Sequence, residues 1–206
     1  MKLKTISFLL IYILLSGCGT YYRSMTATVV DSETMKPIEG AIIAGKWFSS
    51  GGTLASGKTY KAVEVVTDKD GKAYIKSYFN PLASEFSLAV YKCGYLVWSK
   101  GGICKPGNVN RLDLSTSDLT RDMFPSCKTR KDFRWGDYTF KLEPFKPEYS
   151  HRDHQSLLDS AIGPGPTSYY DPIMEAFREC EGKEVRAEQD RINEIQRREE
   201  AEKRKK

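Results

Sequence analysis

The chain has 206 residues and a formal net charge of +5. So small a basic surplus, with both signs mixed along the chain, gives no reason to expect a nucleic-acid partner. The length suits one domain of ordinary size followed by a tail.

The first seventeen residues have the pattern of a secretory signal peptide. Lys2 and Lys4 give a positive start, and an apolar run over residues 5–15 follows. A membrane-spanning helix needs about 20 apolar residues, so this run is shorter than a permanent membrane span requires. We therefore expect residues 1–17 to be cleaved, which removes both lysines and lowers the formal charge from +5 to +3.

The segment Leu15-Ser16-Gly17-Cys18 resembles a lipobox, the bacterial motif of an aliphatic residue, two small residues and a cysteine. The resemblance implies that the Cys18 thiol accepts a diacylglyceryl group and becomes the lipid-carrying N-terminus. Two or more acyl chains hold a protein firmly on a bilayer, so the lipid bilayer is the predicted partner of Cys18. Gly19 is not the aspartate that favours inner-membrane retention in enteric bacteria, which points to an outer-membrane anchor facing the periplasm. Residues 18–23 are predicted to be a short tether.

Residues 24–144 carry the alternation and turn signals of several short strands. Met25, Ala27 and Val29 fall on one face of the first strand. Asp68-Lys69-Asp70-Gly71 predicts a hairpin, because aspartate bonds its own backbone in turns and glycine accepts a positive φ. Many short strands with regular turn signals indicate an antiparallel β-sandwich. The predicted strands cover residues 25–30, 41–48, 60–67, 72–79, 86–91, 95–98 and 138–142.

Residues 145–170 are predicted to be a linker that contains one short helix. Ser150 and Asp153 form a capping-box-like start, Leu157 and Leu158 belong to its apolar face, and Gly163 ends it.

A highly charged helix is predicted over residues 171–206. Asp171 caps it and Pro172 fits its first position, where no amide donor is needed. The favoured interpretation is a solvated single helix that frays. The alternative is a coiled-coil or partner-binding helix that reaches another envelope protein, although Glu188 and Glu199 interrupt its apolar seam.

Besides Cys18, the chain has four cysteines, an even number that suits disulfides in an oxidising compartment. Three pairings of four cysteines exist, and the sequence does not choose among them. A bridge between Cys93 and Cys104, which flank a glycine pair, is one hypothesis. Zinc is disfavoured because no two cysteines have CxxC spacing. The four are Cys93, Cys104, Cys127 and Cys180.

Two further patterns are weak candidates for metal binding. His151 and His154 stand three apart on the short helix, a spacing that can place two imidazoles on one face. No third ligand is evident, so surface histidines are the favoured interpretation. Asp68 and Asp70 resemble the start of a calcium loop, but the later oxygen ligands are missing. We predict no metal and no cofactor.

Four segments occur in the order Val29-Val30-Asp31, Pro37-Ile38-Glu39-Gly40-Ala41, Thr67-Asp68-Lys69-Asp70-Gly71 and Lys92-Cys93-Gly94-Tyr95. Together they resemble the carboxypeptidase regulatory-like family. The resemblance implies a transthyretin-like antiparallel β-sandwich of about seven strands, here over residues 24–144, followed by the C-terminal α-helical tail. Proteins that contain this domain are diverse, so the family implies a fold and no activity.

The sequence carries no recognised catalytic motif and predicts no catalytic residue. Trp47 and Phe48, beside the small and polar segment 49–58, are the candidate ligand contacts if they stand exposed. The leading hypothesis is a non-catalytic, membrane-anchored lipoprotein of the bacterial envelope that acts as a structural or binding module. The alternative is an exported hydrolase or an accessory subunit of an envelope peptidase.

Overall fold

The structure, a computed structural model, describes residues 20–49, 58–108, 127–163 and 171–204. The predicted signal peptide, Cys18 and most of the predicted 49–58 loop lie outside the described residues. Within these ranges, neither helix combines the length and apolarity that crossing a membrane requires.

The described part of the chain contains eleven strands and two helices. Most of these elements are strands, as predicted, and the longer helix lies at the C-terminal end. The strands are β1 Thr20–Tyr22, β2 Met25–Asp31, β3 Ile42–Ser49, β4 Lys58–Val66, β5 Lys72–Ile75, β6 Tyr78–Asn80, β7 Glu85–Tyr91, β8 Trp98–Ser99, β9 Gly102–Ile103, β10 Lys128–Thr129 and β11 Tyr138–Leu142. The helices are α1 His151–Ile162 and α2 Asp171–Lys203.

Two larger sheets share one apolar core. The first has the strand order β4-β3-β7-β8 and the second the order β11-β2-β5, while β1 pairs with β6 and β9 with β10. Alternation places Met25, Ala27 and Val29 of β2 in this core, fully buried, as the sequence predicts. Ile43 and Trp47 of β3 enter the same core from the other sheet.

The opposite face of the four-stranded sheet is covered by the two helices. Ala44 of β3 and Tyr91 of β7 pack there against Leu158 of α1 and Phe177 of α2. Strands β3 and β7 are therefore buried on both faces, which explains their nearly continuous apolar sequences.

The turn Asp68-Lys69-Asp70-Gly71 has the predicted chemistry but does not form a hairpin. The Asp68 Oδ1 accepts hydrogen bonds from the backbone amides of Asp70 and Lys72, at 2.9 and 2.8 Å. Gly71 has a φ of +70°, and a Cβ at this position would lie 2.5 Å from the Val29 carbonyl oxygen. The strands on its two sides, β4 and β5, belong to different sheets. The turn thus carries the chain from one sheet to the other.

The prediction of a wholly antiparallel structure is wrong for one strand pair. β11 runs parallel to β2, with Phe140 opposite Val29. Alternation in β11 predicts its buried face, but it carries no information on the direction of the neighbouring strand. The predicted strand 72–79 is also divided, because β5 pairs with β2 and β6 pairs with β1.

The predicted tether over residues 18–23 contains a strand. In β1, Thr20 lies opposite Asn80 and Tyr22 opposite Tyr78. The Tyr22 side chain is 8% exposed, and its ring centroid lies 5.0 Å from that of Phe86. A buried aromatic side chain therefore fixes this segment to the body of the protein.

Helix α1 begins as predicted. Ser150 is its N-cap, and its hydroxyl accepts a hydrogen bond from the Asp153 amide. Gly163 ends the helix with a φ of +74°, a conformation that glycine adopts without steric cost.

Candidate functional site

A buried carboxylate, Glu181 of α2, joins both helices to the sheet. Its side chain accepts hydrogen bonds from the Tyr91 hydroxyl at 3.0 Å and from His154 Nδ1 at 2.9 Å. His151 Nδ1 lies 2.8 Å from the same carboxylate. Tyr91, His154 and Glu181 are each no more than 3% exposed, so these hydrogen bonds are shielded from water. We call these four residues the Glu181 network.

The neighbours of His154 determine which tautomer of its neutral ring fits the structure. The backbone amide of Val97 donates to His154 Nε2 at 2.9 Å, so this nitrogen accepts and carries no proton. The proton of the neutral ring must then lie on Nδ1, where it is donated to Glu181. Both ring nitrogens are engaged and the ring is fully buried. His154 therefore has no free nitrogen with which to take a proton from a substrate.

The Glu181 network shifts the pKa values of its members in opposite directions. Burial by itself raises the pKa of the Glu181 carboxyl, but hydrogen bonds from His154, His151 and Tyr91 bring it below its ordinary value. Burial, followed by the charge of Glu181, raises the pKa of the Tyr91 hydroxyl far above its usual range. At neutral pH the carboxylate is charged and the phenol is a donor.

A second buried glutamate of α2, Glu188, holds the start of α1. It accepts hydrogen bonds from the Ser150 hydroxyl at 2.6 Å and from the His151 and Arg152 amides at 2.8 and 3.1 Å. The first amides of a helix have no partner within the helix, and the helix N-terminus favours negative charge. Glu188 supplies both the acceptor for these amides and the negative charge. This explains why a carboxylate is buried at a position predicted to interrupt the apolar seam.

The positioned helix α1 forms one wall of a groove of about 350 Å³. The other wall comes from β8, β9 and the disulfide that follows them. The lining is mostly apolar and includes serine hydroxyls, one cation and one carboxylate. The lining residues are Val97, Ser99, Gly101, Gly102, Cys104, Cys127, Arg152, Asp153, Ser156, Leu157, Ser160 and Ala161.

Three polar side chains that line this groove are engaged in hydrogen bonds within the protein. The Ser156 and Ser160 hydroxyls donate to backbone carbonyls one turn earlier in α1, at 3.2 and 2.8 Å. Asp153 Oδ2 accepts from the Gly107 amide at 2.8 Å. Within the described ranges, neither histidine hydrogen-bonds to a serine, threonine or cysteine side chain. The arrangement can hold a mainly apolar ligand with a polar end near Arg152.

The two candidate ligand contacts, Trp47 and Phe48, lie on opposite faces of β3. Trp47 is 1% exposed and packs against Tyr22, Tyr78 and Trp135 in the core, so the prediction for Trp47 is wrong. The alternation that sends Trp47 inward sends Phe48 to the other face, where it is half-buried and lies 5.2 Å from the Lys46 ammonium.

The four cysteines form two disulfides, Cys93–Cys180 and Cys104–Cys127. The hypothesised Cys93–Cys104 pairing is wrong, because Cys93 is joined to α2 and Cys104 to the strand pair β9–β10. The first disulfide places α2 against the sheet one residue before Glu181. The second lies in the wall of the groove.

The histidines are not surface residues as favoured from the sequence. His154 is fully buried, and the His151 side chain is 25% exposed. In the described part of the chain, no group of three or more histidine, cysteine, aspartate or glutamate side chains could hold a metal ion. Asp68 and Asp70 serve the turn between the sheets.

Sequence reasoning missed Glu181 and Tyr91. The sequence holds one signal for Glu181. Five buried residues recur at helical spacing on α2: Ile173, Phe177, Glu181, Glu188 and Ile192. A glutamate on an apolar stripe predicts a buried acceptor, but its donors come from remote parts of the chain.

No protein-family model matches the sequence, and no curated protein matches it. Among solved structures, it is similar to 3-chlorocatechol 1,2-dioxygenase from Rhodococcus opacus, with 12% identity and a TM-score of 0.34 over 62% of this chain and 61% of that one. It is similar to a streptococcal ancillary pilin, with 18% identity and a TM-score of 0.27 over 61% and 30%.

A catechol 1,2-dioxygenase from Acinetobacter radioresistens has 13% identity and a TM-score of 0.33 over 62% and 54%. The chain thus spans less than two thirds of the length of each of these three structures. With TM-scores below 0.5, these similarities assign neither a fold nor an activity to this chain.

Proposed function

We propose that this chain is a lipid-anchored protein of the bacterial envelope that acts as a non-catalytic structural or binding module. The observation that carries the proposal is the pairing of four cysteines as Cys93–Cys180 and Cys104–Cys127. Disulfides persist in oxidising compartments outside the cytoplasm. The remaining cysteine of the sequence is Cys18, which stands in the segment that resembles a lipobox.

The hydrogen bonds of the body support a transthyretin-like sandwich as the proposed fold. They connect the four segments that resemble the carboxypeptidase regulatory-like family. The Tyr95 hydroxyl donates to Asp31 at 3.0 Å, and the Val29 amide donates to the Gly71 carbonyl at 2.7 Å. The buried Thr67 hydroxyl donates to the Ile38 carbonyl at 2.7 Å. Each segment is thus hydrogen-bonded to another one. These contacts give the residues of the segments a structural role.

The groove beside α1 is the proposed ligand site of the module. Its apolar lining, the single cation Arg152 and the engaged hydroxyls favour binding over hydrolysis. The C-terminal end of α2 is a second proposed contact. Beyond Ile192 nearly every described residue is exposed, and the eleven helical residues 193–203 extend about 16 Å, enough to reach another envelope protein.

Metabolic labelling with a palmitate analogue tests the anchor. The wild-type protein should incorporate the label, and Cys18→Ala should not. A variant with both Cys104 and Cys127 replaced by serine is the control for general loss of thiols, and it should remain labelled. Equal labelling of wild type and Cys18→Ala would overturn the proposal.

A further inference from the structure

The end of the protein that carries β1 and β6 has an apolar surface next to the proposed anchor. Phe79 is 57% exposed and Leu82 is 65% exposed. They flank Asn80, the residue that lies opposite Thr20 in the β1–β6 pair. Large apolar side chains that are exposed together mark contact surfaces more often than isolated ones do.

The chain between Cys18 and this surface is very short. Only Gly19 separates Cys18 from Thr20, and two residues span at most about 7 Å. After Thr20 the chain has little freedom, because the Tyr22 ring is buried among Trp47, Phe86 and Trp135. The Trp135 indole also donates a hydrogen bond to the Arg23 carbonyl at 2.6 Å. A lipid on Cys18 would therefore hold this end of the body within a few ångströms of the bilayer.

Resting on the proposed lipidation of Cys18, we propose that the β1–β6 end lies on the membrane, with Phe79 and Leu82 inserted in the headgroup region. Apolar side chains of peripheral proteins enter the membrane to about 5–10 Å, at the boundary between headgroups and acyl chains. No flexible linker separates the body from the bilayer in this arrangement. The protein presents its opposite end to the periplasm in a fixed orientation.

Charges near the β1–β6 end suit a membrane with anionic lipids. Arg23 follows β1 and is exposed, and so is Lys76, which precedes β6. Lys61 is exposed and lies 5.2 Å from the ring of Tyr78 in β6. The exposed acids near this end include Glu85 and Asp137, whose Oδ1 accepts a hydrogen bond from the Thr26 amide at 3.2 Å. Basic residues close to the surface are attracted by the negative potential of anionic lipids, and salt weakens this attraction.

Depth measurements with a nitroxide label test this orientation. Phe79→Cys and Leu82→Cys each provide a thiol for the label, because the native cysteines are occupied by the disulfides and the lipid. Val66→Cys is the matched control. Val66 is 60% exposed but ends β4, five residues beyond Lys61, or about 16 Å along the strand.

The lipidated variants are placed in vesicles of phosphatidylglycerol and phosphatidylcholine and compared by power saturation with oxygen and with a water-soluble nickel chelate. The ratio of oxygen to nickel accessibility should be several-fold higher at positions 79 and 82 than at position 66. Equal ratios at the three positions in protein that floats with the vesicles would overturn the orientation and leave the anchor intact. If membrane-purified wild-type protein instead carries no lipid on Cys18 and does not float with the vesicles, the proposed function is refuted, and the orientation with it.

The same labels in the unlipidated Cys18→Ser protein, without vesicles, test for another occupant of this surface. Nickel should reach positions 79 and 82 freely in this sample. Protection from nickel there would mean that a second copy of the chain covers the surface, which would overturn the assignment to the membrane.

Discussion

Replacing Glu181 by alanine should destabilise the protein strongly, because it removes the acceptor shared by the Glu181 network. The Tyr91 hydroxyl and the His154 Nδ1 proton would be left buried without an acceptor. Each buried donor that loses its partner costs about 1–3 kcal/mol, while His151 is partly exposed and can bond to water. Loss of one partner from a buried charged cluster costs about 3–5 kcal/mol, and we expect a loss in this range for Glu181→Ala.

The assay is urea unfolding at pH 7 of residues 18–206 with Cys18→Ser and both disulfides intact, followed by tryptophan fluorescence. Glu184→Ala is the matched control, because Glu184 is exposed on the same helix, and such a change shifts stability by no more than about 0.5 kcal/mol. Glu181→Gln keeps one acceptor oxygen and should lose less than Glu181→Ala. A loss below about 1 kcal/mol for Glu181→Ala would refute the assigned role of the carboxylate.

Three further predictions concern stability and follow from the same contacts. Glu188→Ala should cost about 1–3 kcal/mol, since it exposes unpaired amides at the start of α1; urea unfolding measures this loss, and a loss equal to that of Glu184→Ala would contradict it. The pKa of the Glu181 carboxyl is lowered by folding, so its contribution is present above the unfolded pKa of about 4.3 and is lost as the pH falls through the folded value. As the pH is lowered below about 4.3, the unfolding temperature should therefore decrease less for Glu181→Gln than for wild type. Equal decreases in the two proteins would refute the assignment of a charged carboxylate to Glu181. Removal of the Cys93–Cys180 disulfide, with both cysteines changed to serine, should cost about 4.6 kcal/mol, against about 3.4 kcal/mol for the Cys104–Cys127 disulfide, because it closes the longer loop; the reverse order in urea unfolding would contradict this ranking.

The sequence predicts local structure where the cause is local. The burial of Met25, Ala27 and Val29 follows from alternation, and the cap of α1 follows from the Ser150 hydroxyl and the Asp153 amide. The Asp68 turn likewise has the predicted chemistry. In these cases the groups that interact lie within a few residues of one another.

Features that depend on distant parts of the chain are not predictable in this way. The Asp68 turn reverses the chain whether the next strand joins the same sheet or the other one, so a hairpin is not implied. Glu181 is buried because Tyr91 and His154 supply donors, and these residues are 90 and 27 positions away. Cys93 pairs with Cys180 because α2 packs on the sheet, a contact that the charged composition of α2 conceals.

The intact mass of the membrane-purified protein shows directly whether Cys18 carries a lipid. We expect the mass of residues 18–206 with two disulfides, increased by a diacylglyceryl group and, where the host adds it, by an amide-linked acyl chain. Fragmentation should place the added mass on the N-terminal cysteine. A chain that retains residues 1–17, or one that begins elsewhere without a lipid, would contradict lipidation at Cys18.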